Sequence, residues 1–193
     1  MKILIFTDTH GSESAYKELK KKVKDVDFAI CCGDMTIFEN DIEKIMKKLS
    51  LLGTDVFIIH GNHEDEDAVA YFCEKYENLH FLHMAVLHVE GVTLVGYGGG
   101  GFSYTDLMCE QFLKDAKEHL DKKNNILVTH QPPYGTVIDE VYGEHAGSKS
   151  IKKYLKNYNY AFSGHIHETA GKSQKVGKTT IMNPGPKGYI LTL

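Results

Sequence analysis

Five short polar clusters each follow an apolar run of strand length. Asp8-Thr9-His10 follows Ile3–Phe6, Gly33-Asp34 follows Phe28–Cys31, and Gly61-Asn62-His63-Glu64 follows Val56–Ile59. Thr129-His130 follows Ile126–Val128, and Gly164-His165-Ile166-His167 follows Tyr160–Phe162. One histidine at a strand end is ordinarily a packed or surface residue. Repeated Asp, His and Asn at strand ends are harder to dismiss. Hydrophobic patterning does not call for a carboxylate there, and burying one without a partner is costly. Carboxylates, imidazoles and a carboxamide gathered together are stable when cations sit among them. Asp8, His10, Asp34, Asn62, His130, His165 and His167 are candidate ligands, enough for two ions if one carboxylate bridges. Mixed nitrogen and oxygen ligation without thiolate suits two divalent transition ions. Mn²⁺ is the first expectation, with Fe, Zn²⁺ or Ni²⁺ as alternatives, rather than Mg²⁺, Ca²⁺ or copper. Two such ions about 3.5–4 Å apart form a clamp for in-line displacement at phosphorus.

The elements that must position these residues alternate between strand-length and helix-length patterns. Thr93–Val95 adds a further strand. Ser14–Val23 carries Ala15, Leu19 and Val23 on one stripe. Asn40 with Glu43 reads as a capping box ahead of Ile42, Ile45, Met46, Leu49 and Leu52. Asp65–Tyr76, Asp106–Leu120 and Ser148–Lys156 are further helices. This alternation argues an α/β fold whose clusters converge on the rim beyond the carboxyl ends of the strands. His80–Val95 reads as paired strands turning at Glu90-Gly91. The tail reads as a hairpin turning at Gly177-Lys178, followed by a last strand, Tyr189–Leu193. Such strands imply antiparallel members of a mixed sheet or a second sheet. With no long linker, repeat or low-complexity segment, residues 1–193 are expected to form a single domain.

Composition narrows the partners. The formal net charge is −4, and every one of the 22 basic residues is lysine. Arginine is the usual bidentate clamp for phosphate and the usual reader of guanine. Long nucleic acid is therefore not an expected partner, and a bound phosphate must be neutralised by something else, such as metal ions. The lysine cluster Lys20-Lys21-Lys22 reads as the solvated face of a helix. The apolar run Ile3–Phe6 is too short for a secretory leader, and no stretch has the length of a membrane span. The four cysteines lack C-x-x-C spacing. The expectation is a cytoplasmic protein with reduced thiols and no membrane partner.

Together, Asp8-x-His10, Gly33-Asp34, Gly61-Asn62-His63-Glu64, His130 and Gly164-His165-x-His167 resemble the motifs of the calcineurin-like metallophosphoesterase family, in the family's order. The resemblance implies two mixed β-sheets packed as a sandwich flanked by helices. It implies one ion held by Asp8, His10 and His167 and another by Asn62, His130 and His165, with Asp34 bridging. It implies that His63 faces the phosphate as acid or charge stabiliser. Ile37 stands where many relatives, including the protein Ser/Thr phosphatases, carry an Asp that orients this histidine, which sets this chain apart from that subgroup. Glu64 either takes over that orienting role or belongs with Asp65, Glu66 and Asp67 to the acidic first turn of a helix. His130 through Thr136, with Gly143 through Ser148, is similar to a compact branch close to the cyclic-nucleotide phosphodiesterases. In that stretch His145 either reaches substrate or caps the loop, and Tyr104 is a further candidate substrate contact.

The resulting expectation is a phosphodiesterase on a small substrate, with a phosphomonoesterase or a non-catalytic metal-binding scaffold as alternatives. Gly96-Tyr97-Gly98-Gly99-Gly100-Gly101 also matches the dinucleotide-binding pattern G-x-G-x-x-G. It lacks a following strand ending in an acidic ribose partner, and it explains none of the five clusters. A flexible lip, or a backbone that passes close to the metal rim, accounts for those glycines better. His60, His80, His83, His88 and His119 have no motif context and are read as structural or exposed.

Overall fold

The computed structural model describes residues 1–193. In chain order the elements are β1 (Lys2–Phe6), α1 (Glu13–Lys22), β2 (Phe28–Cys31), α2 (Ile42–Ser50), β3 (Val56–Ile58), α3 (Glu66–Lys75), β4 (Leu79–Phe81), β5 (Ala85–Val89) and β6 (Val92–Tyr97). Then come α4 (Leu107–Ala116), β7 (Asn125–Thr129), β8 (Glu140–Val141), β9 (Glu144–His145), α5 (Lys149–Tyr154), β10 (Tyr160–Phe162), β11 (Ser173–Val176), β12 (Thr179–Met182) and β13 (Tyr189–Thr192).

Two mixed sheets result. The first runs β13-β1-β2-β3-β4, parallel except for β13. The second runs β11-β12-β10-β7-β6-β5, with antiparallel outer pairs around a parallel centre. Side chains alternate across a strand, and β1 shows the consequence. Ile3 and Ile5 join Phe28, Ile30 and Phe57 against Leu94, Ile126, Val128 and Phe162 of the second sheet. Leu4 and Phe6 instead meet Leu19 of α1, Met46 and Leu49 of α2, and Val69 and Phe72 of α3. On the far side, Val95, Leu127, Ala161 and Ile181 pack under Cys109 and Leu113 of α4 and Ile151 of α5. The layers are helix, sheet, sheet, helix, as the motif resemblance implies. No helix is long and apolar enough to cross a membrane.

The helix starts follow local chemistry. Ser12, Asp65, Asp106 and Ser148 each accept a first-turn backbone N–H through the side chain. Asn40 does not. The helix begins after Asp41, which is left-handed at φ +58 and makes no side-chain cap, and Glu43 pairs with Lys75 instead. Phe38 and Glu39 are left-handed as well, so the chain enters the helix from a bent segment rather than an extended cap. The hairpin around Glu90-Gly91 forms, but only from Ala85. His80 and Phe81 belong to β4, which extends the first sheet parallel to β3. An apolar run of three residues carries no signal of which sheet it joins. The hairpin at Gly177-Lys178 forms, and the last strand crosses to pair with β1.

All four cysteines are free and buried. Burial pushes the Cys73 and Cys109 thiols up to about 12, and those of Cys31 and Cys32 well above their ordinary value. The thiolate is the reactive form. The native chain should therefore show essentially no fast-reacting thiol toward a chromogenic disulfide reagent at pH 8, and all four after denaturation without reductant. A fast-reacting native thiol, or two stable disulfides in freshly purified protein, would contradict this.

Candidate metal centre

The five polar clusters converge where β1, β2, β3, β7 and β10 end. Four of the seven candidate ligands have left-handed backbones: Asp8 (φ +52), His10 (φ +43), Asp34 (φ +52) and His165 (φ +70). Residues with side chains pay about 1–3 kcal/mol for that conformation. Here it is held by bonds between loops. Asp8 N–H donates to the Gly33 carbonyl and His10 N–H to the Asp34 carbonyl, both at 3.1 Å. Gly164 N–H donates to the His130 carbonyl at 3.0 Å, and His165 N–H to the Asp8 carboxylate at 3.1 Å. The last bond joins the rim of one sheet to that of the other. Close approach explains two of the motif glycines. A Cβ at Gly61 would collide with the Asp34 carboxylate, and one at Gly164 with Thr7 and Asp8.

The side chains form two groups that share Asp34. Ligand atoms of Asp8, His10, Asp34 and His167 lie within 4.8 Å of one another, as do those of Asp34, His130 and His165. The tautomers are set from outside. His10 donates from Nδ1 to the Thr36 carbonyl at 2.7 Å, and His130 donates from Nδ1 to the Cys32 carbonyl at 2.8 Å. Both therefore turn an Nε2 lone pair inward. His10 Nε2 lies 3.0 Å from His167 Nε2 and 3.9 Å from Asp34 Oδ2. His130 Nε2 lies 3.3 Å from Asp34 Oδ2 and 3.0 Å from Asn62 Oδ1. His165 Nδ1 reaches Asn62 Oδ1 at 2.7 Å, while its Nε2 is buried without a partner. Lone pairs converging on lone pairs need a proton or a cation between them. The nitrogen and oxygen donors present thus fit divalent transition ions.

The charged groups of the cluster shift one another's ionisation. Burial raises the Asp34 carboxyl, but the hydrogen bond and charge of His130, with the backbone N–H and charge of His63, bring it down to about 2. Burial opposes a charge on His130, and Asp34 outweighs it, so that imidazole is raised. Burial, reinforced by His130, pushes His165 down to about 4. The Asp8 carboxylate, 3.7 Å from its Nε2, raises His167.

His63 is oriented by Phe38, not by its sequence neighbour. The Phe38 backbone N–H donates to His63 Nδ1 at 3.3 Å, which leaves the ring proton on Nε2. That nitrogen stands 3.8 Å from Asp34 Oδ2. Neither reading of Glu64 holds. It is buried and accepts from Gly61 N–H and Asp34 N–H at 3.0 Å, Thr36 N–H at 2.8 Å and the Thr36 hydroxyl at 2.7 Å. Asp65 caps the helix instead. Glu64 thus clamps the Asp34 loop to the Asn62 loop, and its only sequence signal is its place directly after the motif histidine.

Tyr104 and His145 meet each other at the rim rather than the Asp34 groups. The Tyr104 hydroxyl donates to the His145 carbonyl at 3.3 Å, and His145 Nδ1 donates to the buried carboxylate of Asp139 at 2.9 Å. Asp139 also accepts N–H groups of Gly135, Thr136 and Gly147, so it organises the whole loop. Sequence reading missed Asp139 because nothing local marks it. The glycine run passes over His60: Gly99 N–H donates to the His60 carbonyl, and a Cβ at Gly98 would crowd its ring. Ligand atoms of His60, Glu66 and His83 also lie close together. However, His83 Nδ1 accepts Gly98 N–H at 2.8 Å, so its Nε2, 3.5 Å from Glu66, carries a proton rather than a free lone pair. His83 thus supports the glycine run through Gly98.

Comparison with known proteins agrees with this fold. The sequence profile of the calcineurin-like phosphoesterases matches residues 1–169. The chain is 32% identical to the uncharacterized protein MJ1162 of Methanocaldococcus jannaschii, over 99% of this chain and 91% of that one. Among solved structures, TT1561 of Thermus thermophilus superposes with TM-score 0.74 at 17% identity, covering 96% of this chain and 90% of its own. A dimetal phosphatase from Danio rerio superposes with TM-score 0.63 at 10% identity, covering 95% and 86%.

The Glu64 clamp generates a prediction. Glu64→Gln turns an amide donor toward backbone donors. It should lower unfolding stability by about 2–3 kcal/mol in denaturant titrations and weaken cation binding. Stability within about 0.5 kcal/mol of wild type would show that the clamp contributes little.

Proposed function

The chain belongs to the calcineurin-like phosphoesterase family, and on that footing we propose that it is a two-metal hydrolase of small phosphodiesters. The observation that carries this reading is the pair of ligand groups sharing the Asp34 carboxylate. Asp8, His10 and His167 would hold one ion and Asn62, His130 and His165 the other, with Asp34 common to both. Mn²⁺ is the proposed ion, with Fe, Zn²⁺ or Ni²⁺ as alternatives. When bound, such a pair supplies positive charge to the phosphoryl oxygens and acidifies the attacking water.

The chain's own residues do the rest. His10 and His130 keep their inward lone pairs because backbone carbonyls take their outer protons. His63 presents Nε2–H on the Asp34 side, where it donates to the leaving-group oxygen or stabilises charge on the phosphoryl group. A diester carries one negative charge and a monoester close to two. The chain has no arginine, and Lys149 is engaged over the rings of Tyr104 and Tyr134. This scarcity of fixed positive charge favours the diester. The unpaired cysteines support a reducing, cytoplasmic setting.

A panel of mono- and diesters assayed with several cations tests the reading. Chelation should abolish turnover, Mn²⁺ should restore it best, and diesters should react faster than monoesters. Faster monoesters would redirect the substrate assignment, and absence of turnover with every cation would favour a scaffold. In the same assay His63→Gln should keep both ions. It should lose about 10²–10⁴-fold on alkyl esters and distinctly less on nitrophenyl esters, whose leaving group needs little proton help. Equal losses on both would assign charge stabilisation instead, and loss of an ion would make His63 a ligand.

A further inference from the structure

The chain has nine phenylalanines, and only two of them are exposed: Phe38 at 73% and Phe102 at 68%. Single exposed apolar side chains are ordinary. These two are not scattered. The Phe38 ring lies 4.4 Å, centroid to centroid, from His63, and the Phe102 ring lies 4.7 Å from His165. They stand at the two ends of one run of contacts: His63 to Asp34, Asp34 to His130, and His130 to His165.

The backbone is strained at Phe38 and anchored beside Phe102. Phe38 and Glu39 are left-handed at φ +48 and +61, a conformation that a bulky residue adopts only under constraint. Phe38 N–H is at the same time committed to His63 Nδ1. The left-handed run continues at Asp41, immediately before α2. Phe102 follows the glycine run, and its neighbour Ser103 is anchored by Gln131 Nε2, which donates to the Ser103 carbonyl at 3.0 Å. Gln131 is adjacent to His130. Strain and apolar exposure at one residue, and an anchored exposed ring at the other, are costs that folding alone does not require.

We propose that Phe38 and Phe102 flank the metal centre as two exposed aromatic faces, and that the substrate is a phosphate ester bearing a planar aromatic group that stacks on one of them. This rests on the hydrolase reading and narrows its substrate class. A planar ring gains dispersion and face contact from an exposed phenyl ring, and a base stacked on an aromatic side chain is typically worth several-fold or more in affinity. Stacking would also hold the substrate in a chain that has no arginine to clamp it. The planar group is either a nucleobase or a simple aryl ring.

Calorimetric binding to the Mn²⁺-loaded chain, with methyl phosphate, phenyl phosphate and adenosine monophosphate as probes, tests this. At least one planar probe should bind about tenfold tighter than methyl phosphate. Preference for phenyl phosphate alone would identify an aryl ring, and preference for adenosine monophosphate alone a nucleobase. The Phe38→Ala/Phe102→Ala variant should bring the planar-to-methyl ratio close to one, while the Phe38→Tyr/Phe102→Tyr variant should retain it. Equal binding of all three probes by the wild-type chain, or a ratio that survives the double alanine variant, would overturn the stacking and leave the hydrolase reading standing. No binding of any probe, together with no turnover of any ester, would overturn both.

Discussion

A carboxylate that is almost fully buried, with histidine lone pairs aimed at it from two directions, is an unstable arrangement by itself. Asp34 is 2% exposed, His130 Nε2 stands 3.3 Å from its Oδ2 and His10 Nε2 3.9 Å. Burying such a charge uncompensated would cost several kcal/mol. Positive charge must therefore be present, as a proton on His130 or as bound cations. The backbone carbonyls of Thr36 and Cys32 commit the outer nitrogens of His10 and His130, so neither ring can turn its proton inward without ionising. The surrounding structure follows from keeping this arrangement in place.

The two sheets bring the residues to one rim, and the loops hold them there. Asp8 accepts His165 N–H across the sheets, and Glu64 binds the Asp34 and Asn62 loops together through four donors. Left-handed backbones at Asp8, His10, Asp34 and His165 are tolerated because every one of those loops is tied to another. Strain of this kind concentrates where geometry serves chemistry rather than stability. Phe38 extends the same logic outward. Its N–H fixes His63, its ring is left exposed, and its backbone is left-handed.

Much of this was legible in the chain because strand periodicity and ligand chemistry are both local signals. Asp8, His10, Asp34, Asn62, His130, His165 and His167 stand directly after apolar strands, and the packing of the two sheets, which the sequence does not show, brings those strand ends to one rim. Glu64 was visible but ambiguous, because an acid before a helix looks the same whether it faces solvent or buried N–H groups. Asp139 was silent, since its donors come from a loop that the sequence does not show folding back. The exposure of Phe38 and Phe102 was also silent, because apolar residues are expected inside. β4 joined the first sheet rather than the hairpin because pairing among short apolar runs is decided by tertiary packing.

Asp34 as the shared group is the claim on which the account stands, and cation titration of Asp34→Ala tests it most directly. Mn²⁺ binding would be followed by calorimetry and by elemental analysis after desalting. The wild-type chain should hold two ions, Asp34→Ala should lose both, and His165→Ala and His167→Ala should each weaken one. Tight retention of two ions by Asp34→Ala would contradict the shared-carboxylate centre.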